Sequence, residues 1–134
     1  MDYKKLAQLR LENHPFAKFL GLSIDEISEG KAVCSLEVND HMRNPIGSVH
    51  GGVLYALGDN AAGSAVISYG GGRITTVEGS MHFLRAALEA TTKLVARAEV
   101  IKKGRRLSTV HVQVFDQDDR LLDDGTFTLI DLDA

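Results

Sequence analysis

Residues 53–67 read Val-Leu-Tyr-Ala-Leu-Gly-Asp-Asn-Ala-Ala-Gly-Ser-Ala-Val-Ile. The run is small or apolar on nearly every face of a helix. Such a helix has to be covered on nearly all sides. A single chain of 134 residues, 44% apolar and 25% charged, has room for one such helix in one core. The cover must come from the rest of the chain, and a curved sheet supplies it. The exception inside the run is Asp59. An ionised carboxylate in an apolar surrounding is costly unless it is neutralised, paired or used in chemistry.

The flanking segments support that layout. Residues 3–13 carry Leu6, Leu9 and Leu11 among charges, a modest helical pattern that Pro15 ends or restarts. Residues 22–28 and 31–38 suggest two short strands about Gly30, with Ala32, Cys34, Leu36 and Val38 pointing inward. Residues 39–49 hold loop chemistry, and the helix, expected over roughly 52–67, ends at Gly70-Gly71-Gly72. Residues 73–88, 93–102, 107–115 and 121–132 are rich in β-formers, with turn signals at Lys103-Gly104, Asp116–Asp119 and Asp124-Gly125. In the first of these, Thr75, Val77, Met81 and Phe83 alternate. These four segments read as an antiparallel meander after one long helix. The expected fold is α+β, one domain over 1–134 with an N-terminal helical segment over 1–20.

Composition narrows the function. The net charge of −3 disfavours nucleic acid as a partner. The one cysteine, Cys34, sits on an inward face and reads as a small core residue, and a chain with a single cysteine fits a reducing cytoplasm. No apolar leader and no membrane span are legible. The histidines show no metal-ligand spacing, so no metal is expected.

The chemistry concentrates at the start of the helix. His50-Gly51-Gly52 fall at its N-terminus, where backbone N–H groups lack internal acceptors and carry the positive end of the helix dipole. Glycine there lets a ligand approach, and such N–H groups suit an oxyanion in acyl transfer. Gly51 and Asp59 are eight residues apart, about 12 Å along a helix. A reacting carbonyl must lie about 3 Å from both its donor and its attacker. One chain does not easily bring both there, whereas two antiparallel copies of the helix do, so the spacing points to a symmetric dimer with two shared sites. Each residue also has a plainer reading. Asp59 serves equally as a surface aspartate or the partner of a strand arginine, His50 as a loop anchor, and the two glycines as a turn. The combination favours the site.

The pattern Asn44-Pro45, His50-Gly51-Gly52 and Leu57-Gly58-Asp59 resembles the active-site signature of the hotdog-fold thioesterases, closest to the phenylacetate-degradation type and related to the 4-hydroxybenzoyl-CoA thioesterases. Residues 76–86 resemble that family's third long strand, 102–115 its next hairpin, and 118–125 its closing hairpin, so the likeness spans about residues 15–132. The resemblance implies a five- or six-stranded antiparallel sheet wrapped on one helix, dimers joined edge to edge and often paired into homotetramers, and an acyl-CoA substrate hydrolysed to the free acid and CoA without a further cofactor. It assigns the Gly51 N–H to the thioester carbonyl, Asp59 of the other chain to general base or nucleophile, Asn44 to positioning, His50 to the loop, and Thr76 to the reacting group. It gives coenzyme A to Phe83, Arg85, Lys103, Arg105 and Arg106. The four cations around Gly104 suit phosphates, although alone they equally describe a solvated turn. The chain departs from the family's pattern at Gly58, Gly63 and Ala86. The rival readings are a non-catalytic acyl-CoA binding or sensing module and, last, a hydratase or dehydratase on the same fold.

Overall fold

The computed structural model describes residues 1–134. Helices α1 (Tyr3–Glu12) and α2 (Pro15–Leu20) precede strands β1 (Ser23–Ser28) and β2 (Lys31–Glu37). A 3-10 turn (Asp40–Met42) leads to the long helix α3 (Gly51–Ile67), followed by β3 (Ile74–Phe83), β4 (Lys93–Lys103), β5 (Leu107–Asp116) and β6 (Leu121–Asp131). Asp2 caps α1, accepting from the Lys5 N–H. Pro15 opens α2, where its missing N–H is not needed.

The six strands form one antiparallel sheet in the order β1-β2-β4-β5-β6-β3. It wraps α3, eleven of whose residues are buried, among them Leu54, Leu57 and Ala61–Ile67. The inner face contributes Cys34, Leu36, Leu94, Ala96, Val110, Val112, Val114, Phe127 and Leu129 to one core. Cys34 is fully buried and burial pushes its thiol up to about 12, so it packs as a small apolar residue and holds no thiolate.

Four expectations are corrected. Only β4, β5 and β6 form a meander. β3 crosses to the far edge and pairs with β6 instead of β4, because α3 lies between β2 and β3 and separates neighbours in sequence. The alternation of Thr75 and Val77 does not mark an inward face. A bulge between Thr76 and Glu78 shifts the register, turning Thr76 toward the helix and leaving Val77 57% exposed. Asp124-Gly125 is no turn but the interior of β6. A Cβ at Gly125 would run into the Ser80 carbonyl oxygen and Met81, so glycine there permits close approach of β3. β3 itself is shorter than residues 73–88, ending at Phe83.

Candidate active site

The Asn44–His50 loop is built by its own hydrogen bonds. Asn44 Nδ2 donates to Ser48 Oγ at 2.7 Å and Asn44 Oδ1 accepts from the Ile46 N–H at 3.1 Å. Both ends of this side chain therefore hold the loop that delivers the chain into α3. His50 is the N-cap; its Nδ1 accepts from the Gly52 N–H at 2.8 Å. That satisfies one of the free donors of the first turn and leaves the Gly51 N–H with no acceptor in the chain. Gly51 sits against the Phe83 ring, in a cleft of about 260 Å³ that also includes Leu54, Arg85 and Asp123.

Asp59 lies two turns further along α3, half-buried, in a second cleft of about 260 Å³. Thr76 Oγ1 donates to Asp59 Oδ1 at 2.6 Å, a short bond to a charged acceptor that fixes the carboxylate. The β3 bulge is what aims Thr76 at the helix. Asp59 Oδ2 has no hydrogen-bonding partner in the chain and stays available. Gly51 and Asp59 thus occupy separate clefts within one chain. Of the residues assigned to coenzyme A, Phe83 and Arg85 stand at the Gly51 end. Lys103, Arg105 and Arg106 stand in the β4–β5 turn, near Tyr69 and the C-terminal end of α3. β3 spans the distance between those ends, about 30 Å for ten residues.

The sequence reading missed Arg10, Asn60 and Asp123, whereas His14 falls in the Asn13–Leu20 segment expected to form a pocket wall. Arg10, His14 and Asn60 line the Asp59 cleft with Phe16, Leu20 and Ile74. Arg10 Nε donates to Ser64 Oγ at 3.0 Å. Burial lowers the Arg10 pKa, and the charge of Asp59 partly offsets this. His14 Nδ1 accepts from the Ala17 N–H, and burial with the neighbouring Arg10 charge lowers its pKa. Asp123 is fully buried, neither carboxylate oxygen has a partner, and burial pushes it up to about 7. Arg10 carried no local signal, and Asp123 lay beside the Asp124-Gly125 turn signal.

The chain is similar to known thioesterases in sequence and fold. The thioesterase superfamily model matches residues 46–122, the stretch that holds the loop, α3 and β3–β5. The acyl-coenzyme A thioesterase PaaI of Escherichia coli is 32% identical over 111 residues, 83% of this chain and 78% of the relative. A 1,4-dihydroxy-2-naphthoyl-CoA hydrolase of Listeria monocytogenes is 30% identical, covering 77% of this chain and 84% of its own. The solved structure of the E. coli PaaI protein from the phenylacetic acid degradation operon superimposes with a TM-score of 0.90 at 27% identity, covering 97% of this chain and 93% of that one. The chain belongs to the thioesterase superfamily and is a thioester hydrolase of the PaaI-like, hotdog-fold kind.

Proposed function

We propose that the protein hydrolyses an acyl-CoA at two sites shared across a homodimer, each combining Asp59 of one chain with the N-terminus of α3 of the other. The observation that carries this reading is the separation of the two halves. The free Gly51 N–H and the Thr76-held Asp59 carboxylate face different clefts of one chain, and an antiparallel partner brings them together. The same pairing sets the Lys103, Arg105 and Arg106 end of one chain beside the Gly51 and Phe83 end of its twin, so one coenzyme A reaches both groups. β3 supports the pairing as well. It is an edge strand of ten residues with Val77 and Phe83 more than half exposed, and a long unpaired edge is a natural place for sheets to join. A homotetramer is a pair of such dimers.

In this arrangement the thioester oxygen accepts from the partner's Gly51 N–H, which sits at the positive end of a helix. Asp59 takes a proton from water as the water oxygen adds to the carbonyl carbon, or its free Oδ2 adds directly. Charge grows on the carbonyl oxygen as the new C–O bond forms, and the oriented N–H stabilises it most at that point. Collapse breaks the C–S bond. On the water route the thiolate leaves with the proton that Asp59 took, and the free acid forms at once. On the direct route the departing thiolate leaves behind an Asp59 acyl anhydride; water then hydrolyses it to the free acid, supplies the thiol's proton and restores the carboxylate. His50 holds the first turn in place, and Asn44 holds the loop.

Thiol release from a panel of acyl-CoAs tests the reading. Wild type is expected to release thiol from at least one acyl-CoA of the panel. Asp59→Asn is expected to lower kcat by about 10²-fold or more with little change in KM, because the carboxylate acts on the transition state. Equal turnover by the variant would refute the role. Binding without thiol release would make the protein a ligand-binding module.

A further inference from the structure

We propose that the acyl group carries a carboxylate, or an equivalent anion, at its far end, held by Arg10 and Asn60 at the floor of the Asp59 cleft; this rests on the thioester hydrolase reading and names its substrate class. The cleft is rich in donors. Arg10 reaches in from α1, and its only hydrogen bond, from Nε to Ser64, leaves both terminal nitrogens unengaged. No carboxylate lies within ion-pairing distance of it. Asn60 is 5% exposed and its Nδ2 is buried without a partner. His14 accepts at Nδ1, so its neutral ring carries the proton on Nε2. Against these donors the cleft offers one carboxylate, Asp59, which the reaction uses.

The donors are also held in place. Ser64 Oγ accepts from Arg10 and passes its own proton to the Asn60 carbonyl oxygens, at 2.9 Å to the backbone and 3.3 Å to Oδ1. That bond fixes the oxygen end of the Asn60 amide and turns the NH₂ end away from Ser64. The guanidinium occupies the space left by Gly63, where a Cβ would collide with Nη2 and stand 3.3 Å from Cζ. A half-buried guanidinium with one hydrogen bond and a buried unpaired amide are each costly, and a bidentate carboxylate satisfies both.

The dimensions set the length of the acyl group. Gly63 follows Asp59 by four residues, about 6 Å along the helix. A six-carbon chain of five bonds spans about the same distance. A dry cavity of roughly 150 Å³ takes benzene, so the 260 Å³ here takes about ten non-hydrogen atoms, and an adipyl group has about nine.

The experiment compares kcat/KM for adipyl-CoA and hexanoyl-CoA, and thermal shifts with free adipate and hexanoate, in wild type, Arg10→Met and Gly63→Ala. Wild type is expected to favour adipyl-CoA by about tenfold or more. Either substitution is expected to lower the adipyl-to-hexanoyl ratio by about 10- to 100-fold, the range of a charged hydrogen bond. Gly63→Ala keeps the charge and favours the helix, so it stands if Arg10→Met folds poorly. A uniform loss on both esters would mean that Arg10 only supports Asp59, and a hexanoyl preference in wild type would equally overturn the proposal while leaving the hydrolase reading intact. If no ester is cleaved, the hydrolase reading falls; adipate that stabilises wild type but not Arg10→Met then still upholds the pocket, and adipate without effect overturns it.

Discussion

Asp123 is a buried acid in a core position, and replacing it reveals its cost. It faces inward from β6 opposite Val114, at 0% exposure with neither oxygen hydrogen-bonded. Its carboxyl is held neutral until about pH 7 because burial disfavours the charged form. In the unfolded chain it ionises near its ordinary 3.8. Between those values the folded state holds a proton that the unfolded state has lost, so stability from this group is full below about pH 4 and falls as pH rises toward 7. The interval from 3.8 to about 7, at about 1.4 kcal/mol per tenfold, corresponds to on the order of 4 kcal/mol. Asp123→Asn keeps the shape and removes the ionisation. At pH 8 the variant is expected to melt roughly 12–20 °C above wild type, at about 3–5 °C per kcal/mol for a chain of this size, and the gap is expected to close by pH 4. Scanning calorimetry at fixed protein concentration, needed because a dimer's melting depends on it, measures both. A gap that is the same at pH 4 and 8, or absent at both, would refute the reasoning and mean that the carboxylate finds a partner.

Two further perturbations probe the site. Thr76→Val removes the 2.6 Å bond that orients Asp59; kcat is expected to fall about 10-fold or more with little change in KM, since a hydrogen bond to a charged group is worth about 1.5–3 kcal/mol, and steady-state kinetics read it. Arg105→Ala with Arg106→Ala removes two exposed cations of the β4–β5 turn; KM for CoA esters is expected to rise several-fold and to depend less on salt, because exposed charge pairs are screened, and a salt titration of KM checks it.

The central helix was legible because one segment carries its whole signature. Its composition sets its burial, and burial requires a wrapping sheet whatever the order of the strands. The strand order was not legible. Pairing of β3 with β6 joins residues such as Met81 and Gly125, and local alternation carries no mark of a partner 44 positions away. The bulge after Thr76 inverted the reading of Thr75 and Val77, since one inserted residue exchanges the faces of a strand. Gly125 looked like a turn because glycine marks turns more often than close strand contacts. At the site, His50, Gly51 and Asp59 stood out as polar or flexible residues beside an apolar run, and Thr76 only through family resemblance. Arg10 is different. On an amphipathic helix an arginine reads as solvated, and its partial burial depends on the missing side chain of Gly63, 53 residues later. No local rule joins those two positions. Asp123 was hidden for a related reason, because acidic residues beside a glycine describe a solvated turn unless the strand is known to continue.

The shared site is tested most directly by mixing two inactive chains. Asp59→Asn removes the carboxylate. Gly51→Pro removes the N–H at the first helical position, where proline is tolerated, and His50 already has the extended backbone that precedes a proline, φ −59° and ψ 133°; loss of an oxyanion donor costs about 10²–10³ in kcat. Chains of the two kinds, refolded together in equal amounts, form mixed dimers in half of all cases, and each mixed dimer has one site with both defects and one with neither. A site built across the interface predicts recovery of about a quarter of wild-type thioester hydrolysis. A mixture no more active than its separate components would contradict it.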